Sequence, residues 1–179
     1  VHRLVATIDK PMVVDADGLN AVAERPAVLR KAVAPRILTP HPGEMARLTG
    51  KSVAAIQKAR EQIAQRFARD CGVILLLKGH GTVVSDGERV FVNRTGNPGM
   101  ASGGTGDVLT GVIAALMAQG LSPFDAAVLG AHAHGLAGDI AAKRFGQVSL
   151  MATDVLDAVP EAFCRLGRKW GAAQAHRWP

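Results

Sequence analysis

Residues 96–111 read Gly-Asn-Pro-Gly-Met-Ala-Ser-Gly-Gly-Thr-Gly-Asp-Val-Leu-Thr-Gly. Gly96, Gly99, Gly103, Gly104 and Gly106 crowd ahead of Asp107, and a helical apolar spacing starts there with Val108, Leu109, Val112, Ile113 and Leu116. A glycine-rich loop entering a helix is a ready anion site. The first-turn N–H groups have no intrahelical acceptor, the dipole end is positive, and no Cβ blocks a phosphate. Asp107 in that turn has two readings: a helix cap, or a carboxylate held beside a phosphate to take a proton from a hydroxyl. The density of glycine favours the second.

Working outward, 179 residues make one domain with room for a sizeable core. Apolar residues at 48% and charged residues at 20% fit a soluble globular protein. No signal peptide and no apolar run of membrane-spanning length is visible, so no membrane role and a cytoplasmic location are expected. Cys71 and Cys164 show no metal spacing and are expected as reduced thiols. The net charge of +6 is unevenly placed, with Arg165, Arg168, Lys169 and Arg177 in residues 165–179 and no acid among them. Without aromatic interleaving or a binding motif, this reads as a solvated basic tail rather than a nucleic-acid site. The domain is placed at 1–164, with 165–179 as a mobile tail.

In chain order, a helix end at 1–8 precedes the short strand Met12–Val14. Asp15-Ala16-Asp17-Gly18-Leu19-Asn20 follows, where parallel α/β sheets place ligands, although an ordinary Asp/Gly turn reads the same way. A short helix is expected within 21–34, then a strand at 36–39. In Pro40-His41-Pro42-Gly43-Glu44 two prolines hold His41 at a strand end, and Pro42 opens a helix through Leu48 with Glu44 in its first turn. Ser52 is expected to cap a helix to Asp70 that ends near Gly72. Its buried stripe is Ile56, Ala59, Ile63 and Phe67, with Arg60, Glu61, Arg66 and Arg69 facing water. The apolar run 73–77 reads as a strand covered on both faces, ending in Lys78-Gly79-His80-Gly81-Thr82. Residues 82–85 and 89–93 flank Asp86-Gly87 as a hairpin. Helices are expected over 107–119 and from Ser122-Pro123 to about Lys143, with Gly135 and Gly138 marking close packing. His132 and His134, two apart on a helix, diverge and are rejected as a zinc pair. Thr153 is read as the cap of a last helix, interrupted at Pro160.

Four segments together carry a resemblance: 14–20, Thr39-Pro40-His41-Pro42-Gly43-Glu44, Leu77-Lys78-Gly79-His80-Gly81-Thr82 and 96–107. In that order they resemble the ADP/ATP-dependent NAD(P)H-hydrate dehydratases of the ribokinase-like superfamily. The likeness extends from Met12 to about Thr153. It implies a three-layer α/β/α fold with a mainly parallel central sheet, and a metabolite-repair lyase. A hydroxyl of the S-epimer of hydrated NADH or NADPH is phosphorylated and phosphate leaves, restoring the cofactor as ADP goes to AMP and phosphate. By resemblance, Asp107 is the catalytic base and contacts the hydrate. Gly104, Thr105 and Gly106 form the anion hole. Lys78, Gly79, His80, Gly81, Thr82 and Gly106 hold the nucleotide. His41 and Asn20 contact the substrate, and Glu44 with Asp15 or Asp17 orients Mg²⁺ through water. The implied co-substrate is ADP or ATP, the functional partner an NAD(P)H-hydrate epimerase, and a homo-oligomer is admitted.

Family members carry roughly a further hundred residues ahead of the position of Val1, including several sheet strands. The expectation is therefore an N-terminally incomplete domain. Two rivals stand beside the dehydratase: a kinase of the same fold acting on a hydroxymethyl vitamin precursor, and an inactive nucleotide-binding fragment.

Overall fold

The structure, a computed structural model, describes residues 1–174. Strand alternation explains its layering. On β1 (Met12–Val14), β2 (Arg36–Leu38), β3 (Ile74–Leu77) and β4 (Val83–Ser85), successive side chains enter different cores. Val14, Leu38, Leu75, Leu77 and Val83 pack with α1 (His2–Thr7), α2 (Ala16–Glu24), α3 (Pro42–Thr49), α4 (Val53–Lys58) and α5 (Arg60–Cys71). Ile37, Leu76 and Val84 point the other way, onto α6 (Thr105–Ala118) and α7 (Pro123–Phe145). An unbroken apolar run such as 74–77 is what a strand covered on both faces requires. α8 (Ala152–Gln174) packs on α7 through Val155, Ala158 and Ala162 against Ala137, Ile140 and Ala141.

The five strands form one sheet in the order β1-β2-β3-β4-β5, the last being Val90–Val92. Pairings β1–β2 and β2–β3 are parallel, with Val14 opposite Leu38 and Leu38 opposite Leu75. The β3–β4 and β4–β5 pairings are antiparallel. The expected α/β/α layering is present, around a mixed sheet whose parallel part is β1–β3.

Several local expectations are corrected. The stretch after Val14, read either as a strand-end ligand position or as a turn, keeps only Asp15 at the strand end: Asp15 is the N-cap of α2, so Asp17, Gly18, Leu19 and Asn20 lie on that helix. Leu19 and Val22 are buried on its inner face, and that burial outweighs the turn propensity of Asp and Gly. The helix expected from Ser52 to Asp70 is two, parted at Ala59, whose φ of −137° and ψ of 46° are not helical. Gly72 ends the second at φ +66°, as expected of a left-handed cap. Arg60 and Arg69 do not merely face water. Arg60 donates to the carbonyls of Leu77, Lys78 and Gly81, and Arg69 donates to Gly87 O.

In α8, Thr153 lies inside the first turn, where the Asp154 carboxylate accepts from Met151 N at 2.9 Å. Pro160 sits within the helix without ending it. The proline removes one N–H donor, while packing of Ala158 and Ala162 on α7 continues past it. The expected tail falls partly on this helix; Arg177 lies outside the described residues. Among those described, no helix is long and apolar enough to cross a membrane.

Arg36 is fully buried and has no carboxylate partner among the described residues. Its guanidinium donates to the carbonyls of Val5, Ile8, Lys10, Ala34 and Pro35. Desolvation lowers its pKa from the ordinary arginine value. A ring of five carbonyls around Nε, Nη1 and Nη2 satisfies a lone buried guanidinium without a counter-ion, and it ties α1 to the start of β2.

Candidate active site

The parallel strands end side by side, and the ladder continues past them. Thr39 N donates to Val14 O at 3.2 Å, and Lys78 N donates to Pro40 O at 2.8 Å. Asp15, His41 and Lys78 are thus delivered to one edge of the sheet from three separate segments. Ala16, directly after Asp15, has a φ of +47°, an uncommon conformation for a residue with a Cβ. It turns the chain out of the strand at that point.

Lys78 is the centre of this group. Its Nζ lies 2.7 Å from Asp15 Oδ1 and 3.9 Å from Glu44 Oε2. Thr110 on α6 donates to the other Asp15 oxygen at 3.3 Å. These side chains are largely buried: 22% exposed for Lys78, 12% for Asp15 and 7% for Glu44. Gly106 comes down on the pair, since a Cβ there would lie 3.4 Å from both Asp15 Oδ2 and Lys78 Nζ. The start of α6 therefore rests on the Lys78–Asp15 pair, with Glu44 on the same ammonium.

The glycine-rich loop presents its backbone here. Gly104 is the N-cap of α6 in the left-handed region, at φ +89°. The N–H groups of Asp107 and Val108 both donate to Gly104 O, at 3.1 and 3.2 Å. Among the described residues, those of Gly104, Thr105 and Gly106 have no protein acceptor. Thr105 is buried, with its hydroxyl shared between Met100 O and Ser102 O at 2.8 Å each. Open amides on a tethered turn beside a lysine make an anion site. Asp107 follows in the same turn with its side chain exposed.

His41 has a structural role. It is the N-cap of α3, its Nδ1 accepting from Gly43 N at 2.9 Å while Glu44 Oε2 accepts from His41 N at 2.7 Å. This reciprocal box uses up Nδ1 as an acceptor and leaves the proton on Nε2, with the ring half exposed. Asn20 is exposed on α2, bonded to Asp17 Oδ1 at 3.2 Å and accepting from Arg47 at 2.8 Å. On the other side of Lys78, Gly79 and Gly81 have φ values of +131° and +63°. Thr82 donates to Gly79 O at 3.0 Å, and His80 is exposed at the loop tip.

Of the carboxylates read as Mg²⁺ partners, the fold brings together Asp15 and Glu44 but leaves Asp17 out on α2 with Asn20. Among the described residues, no three His, Cys, Asp or Glu side chains form a metal-binding group. With Lys78 between them, Asp15 and Glu44 suit an ion that keeps its own water, as Mg²⁺ does, rather than direct ligation.

Sequence reasoning passed over Arg60, whose three bonds brace the 77–81 loop, and His134. His134 sits behind the loop, its Nε2 buried with no hydrogen-bond partner among the described residues. Burial pushes its pKa down from 6.5 to about 4; a hydrogen bond to the Thr105 backbone opposes this, and the Lys78 charge adds to it. The imidazole is therefore neutral at pH 7. Its position two residues after His132 drew attention to metal spacing, while its place beneath Thr105 depends on how α7 crosses the loop.

A sequence profile of the NAD(P)H-hydrate dehydratase family matches residues 1–161. The bifunctional NAD(P)H-hydrate repair enzyme Nnr of Moorella thermoacetica is 54% identical over 162 residues, which cover 89% of this chain and 30% of that protein. The ADP-dependent (S)-NAD(P)H-hydrate dehydratase of Neisseria meningitidis is 40% identical over 84% of this chain and 52% of its own length. Among solved structures, the ADP/ATP-dependent NAD(P)H-hydrate dehydratase of Bacillus subtilis, co-crystallised with ATP/Mg²⁺, aligns with a TM-score of 0.81. Its identity is 35%, over 90% of this chain and 57% of that one. The chain thus spans about a third to a little over half of the relatives it matches. The architecture is the ribokinase-like one, and these relatives agree with the dehydratase reading rather than the vitamin-kinase one.

Proposed function

The chain belongs to the NAD(P)H-hydrate dehydratase family, and we propose that it contributes the nucleotide-driven dehydration of hydrated NADH and NADPH. The observation that carries this reading is the meeting of Lys78, Asp15 and the open Gly104–Gly106 turn at the end of the parallel strands, with Asp107 next in that turn. Strand ends of this kind are where open α/β sheets bind ligands.

In this mechanism the terminal phosphoryl group of ADP or ATP lies over the start of α6. The amides of Gly104, Thr105 and Gly106 donate to its non-bridging oxygens, where charge develops during transfer. Lys78 balances the same charge from below, and Asp15 and Glu44 hold the ammonium in place. Asp107 accepts the proton of the substrate hydroxyl as its oxygen attacks phosphorus. The nucleotide leaves shortened by one phosphoryl group. The phosphate ester, a far better leaving group than hydroxide, then departs with its C–O bonding pair, and loss of the neighbouring ring proton restores the double bond. Lys78–Thr82 hold the nucleotide, with His41 Nε2 and Asn20 on the substrate side. Asp15 and Glu44 are the residues that would hold a Mg²⁺, which would supply charge neutralisation for the phosphates. The S-epimer is the substrate named for the Neisseria relative, and an epimerase partner fits the bifunctional Moorella enzyme.

The test is recovery of nicotinamide absorbance from hydrated NADH with ADP, with ATP and with neither. Nucleotide-dependent recovery is expected. A folded protein that binds ADP yet restores no absorbance overturns the reading for this chain.

A further inference from the structure

The glycine-rich loop is fastened to α7 by a network that the proposed chemistry does not use. At Gly135 an added Cβ would run into the backbone of Thr95, and at Gly138 it would overlap the Met100 side chain, so the segment lies directly on the helix. Asn93 donates to Ala131 O at 3.2 Å and Thr95 to His132 O at 2.9 Å. Asp139 completes the row. Its Oδ2 accepts from Gly96 N and its Oδ1 from Asn97 Nδ2, each at 3.0 Å.

From Asn97 the contacts lead to the anion hole. Asn97 Oδ1 accepts from Gly99 N at 3.1 Å and caps the short turn Pro98–Met100. Met100 O then accepts from the Thr105 hydroxyl, and Thr105 is the first residue of α6.

We propose that Asp139 is a positioning residue for the anion loop: acting through Asn97, it sets where the Gly104–Gly106 amides stand. The inference rests on reading that loop as the phosphoryl-binding element. Asp139 itself reaches no reacting atom. The polarity of the site is specific, because both groups facing Asp139 are donors and only a carboxylate accepts from both without turning a donor against one.

That polarity can be reversed. In the double substitution Asn97→Asp with Asp139→Asn, the new carboxylate at 97 accepts from the new amide at 139 and from Gly99 N. The amide oxygen at 139 still accepts from Gly96 N. Every partner is satisfied again and the net charge is unchanged. Each single substitution breaks the pattern: Asp139→Asn sets an NH₂ against a donor, and Asn97→Asp sets two carboxylates together.

The experiment compares the wild-type chain, both single variants and the double variant. Two readouts are taken: amide hydrogen exchange of residues 96–107, and kcat and KM for ADP with hydrated NADH. Each single variant is expected to speed exchange in 96–107 roughly tenfold while the β3 amides keep their protection. Each should lower kcat by roughly ten- to a hundredfold, the scale of a misplaced catalytic geometry. The double variant should return both readouts to within about threefold of wild type, well inside that loss. Wild-type exchange in Asp139→Asn, a loss of protection spread evenly over β3, or a double variant no better than the singles would each overturn the proposal. If exchange follows the swap while no protein, wild type included, restores nicotinamide absorbance, the positioning role stands and the dehydratase reading fails.

Discussion

Lys78 and Asp15, 63 residues apart in the chain, meet at 2.7 Å because β1 and β3 run in the same direction and end at the same level. The pair is mostly buried, and Glu44 stands 3.9 Å from the same ammonium. Removing one member of such a group costs more than the pair contributes, because the remaining charges are left buried and uncompensated.

Lys78→Met is therefore expected to destabilise the chain by about 2–3 kcal/mol, a range set by charged, partly solvated hydrogen bonds. It should also weaken ADP binding. Adding Asp15→Asn should recover most of the stability and none of the affinity. Urea unfolding with ADP titration separates the two effects, and undiminished affinity in Lys78→Met would remove the lysine from the nucleotide site.

Asp107→Asn should leave stability and ADP affinity near wild type, since the side chain is exposed and the site's charge centre is Lys78. Turnover should fall by roughly 10²–10⁴, the usual contribution of a positioned base. Single-turnover kinetics with hydrated NADH check this, and retained turnover would exclude the residue as the base.

Gly106→Ala tests the close approach of α6 to the Lys78–Asp15 pair. The added methyl would sit 3.4 Å from each partner, an ordinary contact, so the protein should fold with stability within about 1 kcal/mol of wild type. The methyl fills the space over the ammonium and should cut ADP affinity at least roughly tenfold, equivalent to about 1.4 kcal/mol. Equal affinities in a calorimetric titration would place the phosphates elsewhere.

His134 predicts an acid-side loss of stability. Its folded pKa of about 4 lies below the ordinary 6.5, so between these values the unfolded chain binds more protons than the folded one. Stability should thus drain as pH falls from 6.5 to 4, by about 3 kcal/mol from this residue. His134→Asn should flatten that part of the profile in thermal denaturation followed against pH. A parallel slope in both proteins would show that other groups carry it.

Much of the site was legible because its signals are local. Gly104–Asp107 announces an anion loop through glycine density followed by a helical apolar period. Pro40-His41-Pro42 announces a rigid strand end. Lys78 follows an unbroken apolar run typical of a strand covered on both faces. The errors arose where burial overruled local preference. Asp17 to Asn20 read equally as a strand-end ligand position or a turn, and joined α2 because Leu19 and Val22 had a core to enter. Arg60 looked solvated on its helix, but the break at Ala59 precedes its bonds to three carbonyls of the 77–81 loop.

The sequence by itself determined most of the strands, the glycine loop and the chemistry available at each strand end, because periodicity, capping and backbone freedom act over a few residues. Only the tertiary structure decided that Lys78 sits between Asp15 and Glu44, that His134 lies neutral behind Thr105, and that Asp139 holds Asn97. Those contacts join groups far apart along the chain, or depend on which face of α7 meets the loop. The register of parallel strands and the packing of helices across a sheet set such distances, and neither is written in any one short segment.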